Sequence, residues 1–62
     1  MDLYKHKKSG RTYEVVSENI INATNSQDGQ IMIMYIGDKK DDSGKGAFVR
    51  EASEFYEKFE KI

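Results

Sequence analysis

Ile31-Met32-Ile33-Met34-Tyr35-Ile36 is the stretch that decides the fold. The run is far shorter than the roughly 20 residues that cross a bilayer. Its isoleucines and tyrosine favour a strand. Alternate side chains of a strand point to opposite faces. Ile31, Ile33 and Tyr35 therefore form one set, turned to the core of a curled sheet, and Met32, Met34 and Ile36 form the other. A strand that is apolar on both faces needs cover on both. Met32, Met34 and Ile36 are thus a candidate apolar interface, covered by the C-terminal segment, by a second copy or by a partner.

Working upstream, Asn25-Ser26-Gln27-Asp28-Gly29 reads as a turn, because Asp-Gly is among the strongest hairpin dipeptides. A second strand precedes it, running through Tyr13 and Val15 and continuing irregularly through Ile20 and Ile21. Ser9-Gly10 supplies a tight turn. Before it, Tyr4 and His6 alternate with Lys5 and Lys7 in the period-2 pattern of a strand with one wet face.

Downstream, Gly37 to Gly46 is polar and carries Lys39, Lys40, Asp41, Asp42, Ser43 and Lys45, which predicts an exposed mobile loop. A short fourth strand follows around Ala47 to Arg50. Phe55, Phe59 and Ile62 then fall at helical spacing, with Ser53 placed as N-cap and Glu54 at the favourable end of the dipole. A helix of about nine residues is not stable alone in water. Docked over the third strand, it would cover the outward methionines. The expected fold is mostly β with one short C-terminal α-helix, a small SH3-like partly open antiparallel barrel in a single domain spanning 1–62.

Composition narrows the function classes. The chain has 62 residues, no cysteine and no proline. Disulfides, thiolate metal sites and cysteine nucleophiles are excluded. Without such staples, a fold this small holds by packing or by association. The first residues are polar and basic with no apolar run after them, which reads as a cytoplasmic chain without a signal peptide and without a membrane partner. Net charge is −1, yet Lys5, Lys7, Lys8 and Arg11 make the front basic, and Glu51, Glu54, Glu57 and Glu60 make the back acidic. The i, i+3 spacing of these glutamates stacks them on one face of the expected helix, a solvated surface rather than a hydrolytic pair.

Templates for chemistry fail. Gly44-Lys45-Gly46 resembles the end of a phosphate loop, but Lys39 and Gly46 stand where glycine and a magnesium-holding Ser or Thr are needed. Asp38, Asp41 and Asp42 hint at calcium, but Lys40 and Ser43 break the ligand pattern. His6, the one histidine, has neither the oriented partner of a base nor the co-ligands of a metal site in its neighbourhood of sequence. No catalytic residue, cofactor or metal ligand is assigned, and the chain reads as a non-enzyme.

The front, Tyr4, His6, Lys7, Gly10, Tyr13 and Val15, the middle strand ending Ile33-Met34-Tyr35, and the back, Phe48-Val49-Arg50 with Phe55 and Phe59, resemble the DUF1653 family of small bacterial and phage domains. The resemblance covers nearly the whole chain. One departure is Glu51, where the family commonly places a proline. It implies an SH3-like barrel and no established reaction, cofactor or ligand.

The candidate binding surface is Tyr4, His6, Lys7, Arg11, Tyr13 and Arg50. Phe48 faces inward and Arg50 shares its parity, which brings the guanidinium to the barrel rim near Tyr13 or His6, unless it simply pairs with Glu51 or Glu54. The expected role is an accessory module that binds another protein, with homodimerisation as a further option. The alternative is weak single-stranded or duplex nucleic-acid binding through the basic hairpin, where Tyr4 and Tyr13 stand beside cations.

Overall fold

A computed structural model of the protein describes residues 2–24, 29–39 and 43–62. Five strands and one helix follow in the order β1 (Asp2–His6), β2 (Thr12–Asn22), β3 (Gln30–Asp38), β4 (Lys45–Glu51), α1 (Ala52–Lys58) and β5 (Phe59–Lys61). All pairings are antiparallel, and the sheet order is β4-β3-β2-β1-β5. This is the expected mostly-β, partly open barrel with one short C-terminal helix. It differs from the expectation in having a fifth strand.

The apolar run lies at the centre of β3. Ile33 and Tyr35 are buried, but Ile31, of the same set, lies near the start of the strand beyond the core and is 39% exposed, while Met32, Met34 and Ile36 are half-buried on the other face. β2 is long and irregular, with register shifts between Val15 and Ser17 and between Ser17 and Ile20. Such bulges bend and twist a strand. They let one strand serve β1 with its front half and β3 along its length. The first turn is wider than Ser9-Gly10: it runs from Lys7 to Gly10, closed by the His6 N–H donating to the Arg11 carbonyl and the Gly10 N–H donating to the His6 carbonyl, both at 2.8 Å, with Gly10 at φ 75, a conformation costing other residues about 1–2 kcal/mol.

The C-terminal segment departs from the helical reading. Phe59 leaves the helix with φ −124 and ψ 152 and begins β5, which pairs with β1 as His6↔Phe59, Lys5↔Glu60 and Tyr4↔Lys61. The physical reason is the free edge of β1. Pairing that edge gives each backbone group a partner, whereas extending a two-turn helix into solvent gains little. Ile62 is consequently not part of a helical stripe and is 70% exposed. The glutamate row is also broken up, since Glu60 sits on β5 within 3.4 Å of Lys5 Nζ.

The helix cap differs as well. Glu51, not Ser53, is the N-cap, and its carboxylate accepts from the backbone N–H groups of Ser53 and Glu54. Glu51 is still extended and paired with Met32, so the helix starts where β4 ends. The bond from the Ser53 hydroxyl, followed by those backbone donors, holds the Glu51 carboxyl below its ordinary range. A depressed folded-state value means the cap stabilises above the unfolded carboxyl's titration and is lost as pH falls through the folded one. The melting temperature of wild type should therefore exceed that of Glu51→Gln near neutrality, and the gap should shrink on acidification. A gap that stays constant into strong acid would show that Glu51 does not cap through its charge.

The helix does not cover the outward face of β3. Phe55 is fully buried on the core side, stacked on Phe59 at 4.4 Å between ring centres and edge-on to Tyr4 at 5.1 Å. The core is Tyr4, Val15, Ile33, Tyr35, Phe55 and Phe59, an aromatic-rich cluster that compensates for the short chain with large buried side chains. Tyr56 ties the helix to β2 by donating to Glu18 Oε1 at 2.6 Å, and this bond, with some burial, pushes its hydroxyl up to about 12.

The expected loop is also shorter than 37–46. β3–β4 pairing extends to Gly37↔Gly46 and Asp38↔Lys45, and Gly37 is buried. The rest of that loop reading, at 40–42, and the turn reading at 25–28 lie outside the described residues. So do Asp41 and Asp42 of the rejected calcium pattern. Among the described residues, no helix is long and apolar enough to cross a membrane.

Candidate functional site

A groove of about 410 Å3 opens at the end of the barrel where the β1–β2 turn, β3, β4 and the start of β5 meet. Its floor is aromatic, formed by Tyr13, Tyr35, Phe48 and Phe59. Tyr13 is the wedge of this floor. Its ring lies edge-on to Tyr35 at 5.4 Å, to Phe59 at 5.5 Å and to Phe48 at 6.2 Å. It reaches this position because β3 carries no side chain at Gly37, where a Cβ would lie 2.0 Å from Tyr13 Cδ2.

Arg50 forms one wall. Its parity with Phe48 on β4 places it opposite Ile33, on the core side of the sheet. Nε donates to the Tyr35 hydroxyl at 3.2 Å, Nη1 donates to Glu54 Oε1 at 2.7 Å, and Cζ lies 5.8 Å from the centre of the Phe59 ring. The Tyr35 bond, opposed by partial burial, is the main cause that raises the already high value of the guanidinium. The result is a permanently charged side chain held in one orientation by three neighbours. Arg50 both pairs with Glu54 and lines the groove, so the two readings of its position describe one arrangement.

The opposite wall comes from the hairpin. Arg11 Nη1 donates to the Lys39 carbonyl at 3.3 Å, which fixes it against the β3–β4 connection. The Ser9 backbone N–H donates to His6 Nδ1 at 3.2 Å, so that nitrogen acts as an acceptor. The Ser9 hydroxyl lies 2.8 Å from the same nitrogen and accepts from the Arg11 N–H at 3.3 Å. The His6 ring packs edge-on against Phe59 at 4.9 Å. Here the histidine organises a turn. Asp38 adds one carboxylate to the lining.

Of the six residues expected at a binding surface, the structure brings four together in this groove: His6, Arg11, Tyr13 and Arg50. Tyr4 is 8% exposed and belongs to the core, so it offers no platform to a ligand. The inward alternation of β1 that carries it also packs it under Phe55. Lys7 is exposed but outside the lining, its backbone N–H donating to the Lys58 carbonyl at 3.0 Å. Met32, Met34 and Ile36 lie on the other face of the sheet, away from the groove.

Sequence reasoning missed Ser9, Tyr35, Asp38, Phe48 and Phe59 as parts of the site. Phe59 was read as helical, and only the β1–β5 pairing turns it into the groove. No signal marks Asp38, whose placement follows from the length of β3. No family model, no curated protein and no solved structure matches the chain.

Proposed function

We propose that the protein is a non-enzymatic binding module whose groove captures a short segment of another protein. The observation that carries this reading is the convergence of an aromatic floor with two fixed guanidinium groups, Arg50 and Arg11, in one cleft. Its volume of about 410 Å3 falls within the range of about 300–1,000 Å3 typical of ligand sites, enough for one or two side chains. The aromatic floor favours an apolar or aromatic anchor, and the remaining N–H donors of Arg50 and Arg11, whose charge Glu54 and Asp38 balance, favour a flanking carboxylate or carbonyl acceptor.

Nucleic acid is the second reading, supported by Lys7, Lys8 and Arg11 on the hairpin beside Tyr13. It is weaker because Tyr4 is buried, Glu54 and Asp38 offset the arginines, and the chain as a whole is not basic.

Selection of random peptides displayed on phage, followed by calorimetry on the enriched sequences, tests the proposal. Peptides sharing an aromatic and an acidic residue are expected, and Arg50→Met should weaken them about tenfold or more, as loss of a charge-assisted bond implies. Binding indifferent to both Arg50→Met and Tyr13→Ala would place recognition elsewhere. Titration of the labelled protein with short oligonucleotides at low and moderate salt is the counter-test. Shifts confined to 5–13 and Arg50 and reversed by salt would replace the peptide reading with the nucleic-acid one.

A further inference from the structure

The backbone of β4 is paired on one side only, and the ladder shows which groups are left over. Lys39 and Gly44 continue the β3–β4 register one step beyond Asp38↔Lys45, and the Lys39 N–H donates to the Gly44 carbonyl at 2.8 Å. An antiparallel ladder alternates hydrogen-bonded and non-hydrogen-bonded pairs. The β3–β4 register runs without a shift, so Gly46, Phe48 and Arg50 direct their N–H and C=O groups to β3. Those of Lys45, Ala47 and Val49 point away from it. All three residues are exposed, β4 ends the sheet, and among the described residues no group bonds to their backbone.

Sheet edges are normally blunted by proline, by a bulge or by shortness. β4 has none of these over its seven residues. The opposite edge is different, since β5 has three residues and the Phe59 N–H already donates to the Phe55 carbonyl.

We propose that the segment captured by the groove is an extended peptide that adds to β4 as a further antiparallel strand, an inference that rests on the groove being the binding site. Edge and groove are continuous, because Phe48 and Arg50 of β4 line the groove. Cross-strand partners share a face. Peptide residues opposite Phe48 and Arg50 therefore enter the groove, while those opposite Ala47 and Val49 stay outside and carry the backbone bonds. The two inserted side chains sit in non-hydrogen-bonded pairs, the kind whose side chains lie closest. The one opposite Phe48 faces the aromatic floor and is apolar or aromatic. The one opposite Arg50 meets the guanidinium donors that Tyr35 and Glu54 leave over, so it is Asp, Glu, Asn or Gln. Antiparallel pairing puts this acceptor two residues before the apolar anchor.

A second copy fits the edge but not the groove. Its β4 would bring Phe48 and Arg50 to the groove side, and these are already committed within their own chain. Phe48 stacks on Tyr35 at 5.5 Å, and Arg50 bonds Tyr35 and Glu54. A foreign strand satisfies the edge and fills the groove together.

Amide exchange of the labelled full chain, with and without the most enriched peptide of the display selection, tests the proposal. In the free chain the Ala47 and Val49 amides should exchange fast and those of Phe48 and Arg50 slowly. Saturating peptide should slow the first two about tenfold or more. N-methylation of single peptide residues should weaken binding about tenfold or more opposite Ala47 and Val49, and less than about threefold at the residues between. A bound peptide that shifts Tyr13 and Phe59 but leaves the Ala47 and Val49 amides exchanging would overturn the added strand and leave the groove reading in place. Affinity indifferent to the position of the methyl group would do the same. Absence of any binding peptide would overturn both. Protection of the two amides in the free chain also overturns the proposal, and where it rises with protein concentration the edge belongs to a second copy.

Discussion

Replacing Phe55 by alanine is expected to unfold the domain at room temperature. The side chain is fully buried and touches three other rings of the core, stacking on Phe59 and meeting Tyr4 and Tyr35 at 5.1 and 5.3 Å. Removing such a ring costs about 3–5 kcal/mol through lost transfer energy and the cavity left behind. At about 0.05–0.15 kcal/mol per residue, a chain of 62 residues has a net stability of about 3–9 kcal/mol, and a single core this small without staples rarely supplies more than about 3–5 kcal/mol. The loss therefore consumes most of it. Near-ultraviolet dichroism and the dispersion of amide resonances should collapse together. The control is Tyr56→Phe, which deletes one bond from a residue 46% exposed and should stay within about 1 kcal/mol of wild type. A Phe55→Ala protein with a cooperative urea transition close to that of wild type would show that α1 is peripheral to the fold.

Gly37→Ala is expected to destabilise the protein by about 1–3 kcal/mol, the usual cost of overpacking, and to close the groove from beneath. The added Cβ would lie 2.0 Å from Tyr13 Cδ2 and 2.4 Å from Cε2, so the ring must move. It has no easy escape, because Tyr35, Phe48 and Phe59 surround it edge-on. Backbone strain is not involved, since Gly37 is not among the glycines of positive φ. The two causes separate in a double-mutant cycle. In a Tyr13→Ala background the space under the ring is open, and Gly37→Ala should then cost little, giving a coupling on the order of 1–2 kcal/mol. Urea midpoints of the four proteins measure it. Additive effects would mean that the glycine is needed by the β3 backbone and not by Tyr13. The same variants bear on function, because a peptide bound on the aromatic floor should be lost with the displacement of Tyr13.

The places where the reading of the sequence and the folded chain part company share a cause. Periodicity along β1, β3 and β4 fixed which side chains face inward, and from that parity Arg50 could be placed near Tyr13 and His6. The segment from Phe55 to Ile62 fits a helical stripe equally well as a pattern, yet only its first part is helical. What tips it is the unpaired edge of β1, which does not exist until the β1–β2 hairpin has formed. The cap at Glu51 and the dispersal of Glu60 to a partner on β1 follow from the same event. Tyr4 illustrates the converse. It stands among cations in the chain, and its burial depends on Phe55, which is distant in sequence and becomes a neighbour only after docking.

By itself, then, the sequence determined the strand alternation, the presence of a turn ending at Gly10, the aromatic composition of the core and the exclusion of thiol chemistry. These rest on local backbone preference and on which side chains water rejects, both properties of short stretches. The tertiary structure alone decided where the helix stops, which rings form the groove floor, that Gly37 makes room for Tyr13, and that the outer face of β3 is left without cover by α1. Those depend on pairing and packing between residues far apart in the chain. Such contacts form because the whole barrel satisfies its backbone and buries its rings together, and no window of sequence contains that balance.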